Sequence, residues 1–173
     1  MKKVIISGGP GAGKTTLIEY LAHRGFHTFS EVPRQLIEVQ SQRVDGILPW
    51  HDLPAFAQLC LDAMCQHKQQ AEALPLAFFD RAIGDICGYL TLGGFTPDEA
   101  YLQASQDYYP QVFVCRPQAA IYVQDEIRPY PFEQALDIHR QLVQSYQVLG
   151  YEVVEVPWAS VEQRSEFILS YVQ

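Results

Sequence analysis

Residues 4–21 read VIISGGPGAGKTTLIEYL, and the order of parts within them decides the fold. A short β-branched run comes first and reads as a strand over residues 3–7. Gly8-Gly9-Pro10-Gly11-Ala12-Gly13-Lys14-Thr15 then fits the pattern G-x-x-x-x-G-K-S/T. Helical spacing through Leu17, Ile18 and Leu21 follows, and Gly25 ends it. Between a strand and a helix, such a loop turns several amide N–H groups toward one point, and the helix aims its positive end there. Lys14 adds a full charge for the β- and γ-phosphates, and the Thr15 hydroxyl is placed to ligate Mg²⁺. The object held is therefore expected to be a nucleoside triphosphate with magnesium. Thr16, the next residue, is a further candidate for the phosphates.

Outward from the loop, apolar runs alternate with helical patterns. FHTFSE (26–31) reads as a strand, and Pro33 opens a helix to about Arg43. A long helix is expected over 52–73 with Asp52 as N-cap, and LAFFD (76–80) as a strand. Helices to Leu92 and from Thr96 to about Tyr108 precede a strand at 112–116. Residues 117–131 are loop-like; a helix over 132–150, a strand YEVVEV and a helix over 160–171 finish the chain. Apolar strands without strict alternation are buried on both faces, so the reading is a three-layer α/β fold with a parallel sheet. With 173 residues and no linker or repeat, one domain over 1–173 is expected.

Bulk chemistry narrows the partners. The net charge is −8 and there are only four lysines, so nucleic acid is excluded as a main partner. No apolar run is long enough to span a bilayer. MKKVII is not followed by a cleavage-site pattern, and Cys60, Cys65, Cys87 and Cys115 show neither C-x-x-C nor zinc spacing, so a reducing cytoplasm is expected.

In parallel sheets of this kind ligands gather at the carboxyl ends of the strands, and that rule ranks the remaining polar residues. Asp80 ends LAFFD and is a candidate for Mg²⁺; its structural alternative is to cap the next helix. Arg81 follows as a phosphate or substrate contact, and Asp85 either pairs with Arg81 or meets substrate. Glu31 is a candidate base for an acceptor hydroxyl, and Arg34 a clamp for an anion; a surface Glu31–Arg34 pair is the alternative. Segment 116–132 reads as a lid whose Arg116 and Arg128 close over the triphosphate and offset charge in the transition state. The five histidines show no ligand spacing and default to surface or core; Trp50 is the aromatic most worth checking for substrate contact.

Taken together, E-x-x-R at Glu31–Arg34, D-R-x-x-x-D at Asp80–Asp85 and D-x-x-R at Asp125–Arg128 give the chain a family resemblance. It resembles the small P-loop "AAA domain" group of ATPases and kinases. That group is related to the nicotinamide riboside kinase part of NadR-type proteins and to animal Ttd-type nucleotide-binding proteins. The likeness runs over about residues 3–170, through SEVPRQLIE, FFDRAIGDICGYL, VFVCRP and LGYEVVEVPWASVEQRSEFIL. It implies a five-stranded parallel sheet of order 2-3-1-4-5, of nucleoside- or nucleotide-kinase type. It also implies that Lys14 and Thr15 are the Walker residues, with Asp80-Arg81 as the strand-end pair. Ala82 stands where relatives more often carry Gly, and E-V-P replaces the E-P element of deoxynucleoside kinases.

The leading expectation is a kinase that moves the γ-phosphoryl group of Mg-ATP to a nucleoside-like or other small hydroxyl or phosphate acceptor. The alternative is an ATP- or GTP-binding regulatory protein that hydrolyses slowly and presents a surface to a lipid or protein partner. GTP remains open, but guanine readout through an N-K-x-D element is closed, because the chain has no asparagine.

Overall fold

The computed structural model describes residues 1–126 and 128–173; Ile127, inside the expected lid, lies outside them. Five strands, β1 (Lys2–Ser7), β2 (His27–Phe29), β3 (Leu76–Asp80), β4 (Gln111–Val114) and β5 (Glu152–Glu155), form one all-parallel sheet of order β2-β3-β1-β4-β5. The helices are α1 (Lys14–His23), α2 (Val32–Ser41), α3 (Leu53–Ala71), α4 (Ile83–Leu92), α5 (Glu99–Ala104), α6 (Phe132–Val148) and α7 (Val161–Val172).

The continuous apolar runs of the three inner strands resolve into strict alternation between two cores. Ile5, Ala77, Phe79, Val112 and Val114 face the side covered by α2–α6. Val4, Ile6, Phe78, Phe113 and Cys115 face the side covered by α1 and α7. Past the first residues of each central strand every side chain is buried, which is why no polar residue interrupts these runs.

Register brings the strand ends to one edge. Ile6 lies opposite Asp80, Ser7 opposite Val114 and Phe29 opposite Phe79. The ladder runs one step further, as Arg81 N–H donates to the Ile6 carbonyl at 3.0 Å and Cys115 N–H to the Ser7 carbonyl at 2.9 Å.

Several boundaries differ from the sequence reading. β2 stops at Phe29 and Glu31 becomes the N-cap of α2, because an edge strand paired only with β3 has no second neighbour to extend it. Ala82, not Asp80, precedes α4. α5 ends at Ala104 rather than near Tyr108: Lys68, on α3, caps it by donating to the carbonyls of Ala104 and Gln106, both at 2.7 Å. Asp107 then turns the chain with φ +68°, and Tyr108 enters the core.

Candidate functional site

The loop after β1 sits where all three inner strands end. Gly8, at φ +131°, passes so close to the next strand that a Cβ would lie 2.0 Å from the Cys115 carbonyl oxygen. Gly13 starts α1 from the left-handed region (φ +74°), with no side chain capping the helix. The first-turn amides are thereby left open: among the described residues, no protein group accepts from the N–H of Gly11, Ala12, Gly13, Lys14 or Thr15. A ring of unpaired donors around the positive end of a helix can hold an oxyanion.

Lys14 is buried beside this ring, its Nζ 3.9 Å from Asp80 Oδ1. That oxygen is buried and has no hydrogen-bond partner. Burial raises the Asp80 pKa, partly countered by Lys14 and reinforced by the Glu31 charge. Thr15 and Thr16 are exposed and line the same cavity. Among the described residues no cluster of three His, Cys, Asp or Glu could cage a metal. The Thr15 hydroxyl and the orphaned Asp80 oxygen nevertheless suit a small hard cation that takes its other ligands from phosphate and water.

Arg81 organises the neighbouring charges. It stands at φ +66° just after β3, and only 5% of its surface is exposed. Its Nη1 donates to the Gly8 carbonyl at 2.8 Å and to Asp85 Oδ2 at 2.7 Å, and its Nε donates to Glu31 Oε1 at 3.1 Å. Asp85 is fully buried behind it. It also accepts from the Ser7 hydroxyl at 2.7 Å, from the Ala82 amide at 3.2 Å and from the Tyr146 hydroxyl. Asp85 therefore pairs with Arg81 and does not line the cavity. Glu31 pairs with Arg81 rather than with Arg34, which forms no ion pair among the described residues. Burial opposes ionisation of Glu31, but the Arg81 and Lys14 charges outweigh it and hold its pKa below the usual carboxylate range.

A cavity of about 620 Å³ joins these parts. Pro10 to Thr16 form its phosphate end, Glu31, Arg34 and Arg81 its middle, and residues of α2, α3 and α4 its far wall. Ile121, Arg128 and Tyr130 border it from segment 117–131, whose described residues carry no helix or strand. That segment is tied to the loop after β1 by the Gln118 amide, which donates to the Gly11 carbonyl at 2.9 Å. Gly8, Gly9, Asp80 and the exposed Arg116 do not border the cavity. Trp50 does not line it but sits with His51 and Phe95 in a smaller hollow that shares Pro49 and Leu53 with the cavity.

Two contacts escaped the sequence reading. His139, treated there as a default core or surface residue, accepts the Gly9 amide on its Nδ1 at 3.0 Å. Burial and then the charges of Arg116, Arg81, Arg140 and Lys14 push its pKa down to about 4. The available signal was its place on the buried stripe Ala135–His139–Leu142–Tyr146 of α6, where a polar side chain needs a partner. Arg164, on α7, donates to the Gly13 carbonyl at 3.2 Å and lies 5.1 Å over the ring of the exposed Trp158.

Comparison with known proteins gives the same architecture. A family model described as an AAA domain matches residues 3–164. Deoxyadenosine kinase from M. mycoides, solved with the products dCMP and a flexible dCDP, is similar with a TM-score of 0.67 and 16% identity, over 98% of each chain. The NadR protein in complex with NR is similar with a TM-score of 0.69 and 19% identity, over 99% of this chain and 50% of that one. The chain thus spans half the length of NadR. At these identities the likeness is one of fold. No curated protein matches the sequence.

Proposed function

The chain belongs to the AAA-domain family, and on that premise we propose that it is a small-molecule kinase acting as a single domain over residues 1–173. The observation that carries this reading is the cavity itself. It does not stop at the phosphate end but continues past Glu31 and Arg81 into a space large enough for an acceptor. The deoxyadenosine kinase of similar fold supports the same class of reaction.

In this reading the amides of Gly11 to Thr15 and the Lys14 ammonium hold the triphosphate of ATP, with GTP as the alternative donor. Gly8, Gly9 and Pro10 shape that loop, and Thr16 is a further contact for the phosphates. The Thr15 hydroxyl and Asp80 would hold magnesium, which would supply charge neutralisation on the phosphate oxygens. Glu31, kept ionised by Arg81 and Lys14, accepts the proton of the acceptor hydroxyl as its oxygen attacks the γ-phosphorus. Asp85 acts through Arg81 as a positioning residue. Arg34 and Arg128 offset the charge on the transferring group from the α2 side and the lid side.

Replacing Glu31 with Gln tests the assignment. Acceptor phosphorylation should fall by about 10²–10⁴-fold in kcat while ATP affinity, measured calorimetrically, stays within about threefold. Equal loss of both would make Glu31 a structural partner of Arg81 only.

A further inference from the structure

We infer that the acceptor half of the cavity takes an alcohol with an apolar body, not a nucleoside; the inference rests on the kinase reading above. Apart from the polar side chains of Arg34, Tyr89, Arg128 and Tyr130, the wall beyond Glu31 and Arg81 consists of Ile37, Pro49, Leu53, Phe56, Ala57 and Ile86. None of these apolar side chains can donate or accept a hydrogen bond. The backbone offers one donor, the N–H of Leu53 at the first position of α3, since Ile37, Phe56, Ala57 and Ile86 lie inside helices and Pro49 has no N–H. The nearby amide side chains are each engaged elsewhere through one atom. Gln40, one turn beyond Ile37, is buried with its Oε1 accepting the Ile47 amide at 3.0 Å. Gln58, beside Ala57, donates to Asp62 at 2.9 Å on the surface.

A nucleobase carries several edge groups that need partners. Each one buried here without a partner would weaken binding by roughly tenfold to a hundredfold. An apolar body meets no such penalty and gains from every methylene removed from water. At the polar end the demands are different. The Tyr89 hydroxyl lines the cavity and makes no hydrogen bond among the described residues, and the Arg81 guanidinium lies 5.8 Å from its ring. It can hold one oxygen of an acceptor beside Glu31. An ionised Glu31 is placed to take the proton of a neutral hydroxyl there. The alcohol oxygen forms its bond to the γ-phosphorus as the bond from that phosphorus to the β–γ bridging oxygen breaks. The hydroxyl proton passes to Glu31 and then to water, and the products are an organic monophosphate and ADP.

Two measurements on the intact protein test this. Binding of 1-butanol, 1-hexanol, 1-octanol and cinnamyl alcohol is compared by calorimetry with that of adenosine, deoxycytidine and nicotinamide riboside, in AMP-PNP and magnesium. Transfer is then followed with the same compounds and labelled ATP. The alcohols should bind more tightly by about fourfold per added methylene until the body fills the wall. The larger ones should be phosphorylated with a kcat/KM at least about tenfold above that of any nucleoside. Tighter binding and faster transfer with a nucleoside would overturn the inference and leave the kinase reading standing. Alcohols that bind with this length dependence but are never phosphorylated would overturn the kinase reading and leave the chemistry of the wall intact. Failure of every compound to bind would remove both.

Discussion

Arg81 holds Glu31, Gly8 and Asp85 from a backbone conformation, φ +66°, that side chains rarely adopt. Its loss would leave the fully buried Asp85 without its cation. Arg81→Ala should therefore cost about 3–5 kcal/mol in chemical denaturation. Arg81→Gly should cost about 1 kcal/mol less, because glycine relieves the left-handed backbone while losing the same ion pairs. Equal costs would mean the conformation carries no strain. His139 makes a different prediction. Its pKa in the folded protein is about 4 against an ordinary 6.5, so between those values the unfolded chain binds the extra proton. The stability tied to the neutral ring is fully present above pH ~6.5 and is lost as pH falls from there through about 4. His139→Gln, which can still accept the Gly9 amide, should flatten the fall in denaturation midpoint across that window; an unchanged profile would reject the assignment.

Elements position these residues by reaching across the fold. α6 carries His139 to the loop after β1, and its Tyr146 donates to Asp85 from the same buried stripe. α7 sends Arg164 to the Gly13 carbonyl, so the start of α1 is held from outside its own helix. The segment between β4 and α6 meets the cavity through Ile121, Arg128 and Tyr130, and its Asp125 side chain accepts from the Arg128 amide at 2.9 Å. If this segment acts as a lid, Arg128→Ala should lower kcat by about 10²–10³-fold while the KM for ATP changes less than about fivefold. A loss confined to KM would make Arg128 an ordinary ground-state contact.

At the scale of the molecule, one sheet separates two cores and belongs to both. Phe78 is fully buried on the α1/α7 side, and its strand neighbours Ala77 and Phe79 pack on the other side. Phe78→Ala should cost about 3–5 kcal/mol. Loss of stability should appear as a shift of a single cooperative transition seen alike by far-UV and near-UV circular dichroism. Two separate transitions would divide the chain into more than one folding unit.

The strand–loop–helix at residues 4–21, the alternation of strands with helices and the acids and arginines at strand ends were all legible in the chain. They depend on local spacing, backbone preference and the rule that parallel strands point their carboxyl ends at a ligand. Pairings among those residues were not legible. Glu31 sits three positions from Arg34 but fifty from Arg81, and only the register of β2 on β3 decides between them. The early end of α5 depends on Lys68 from α3, and the role of His139 depends on how α6 crosses the sheet. The apolar far wall exists only once α2, α3 and α4 pack together, since its residues read one by one as ordinary core. Local chemistry is written in neighbouring residues, whereas partner choice and cavity shape arise from contacts between residues far apart in the chain, which packing alone selects.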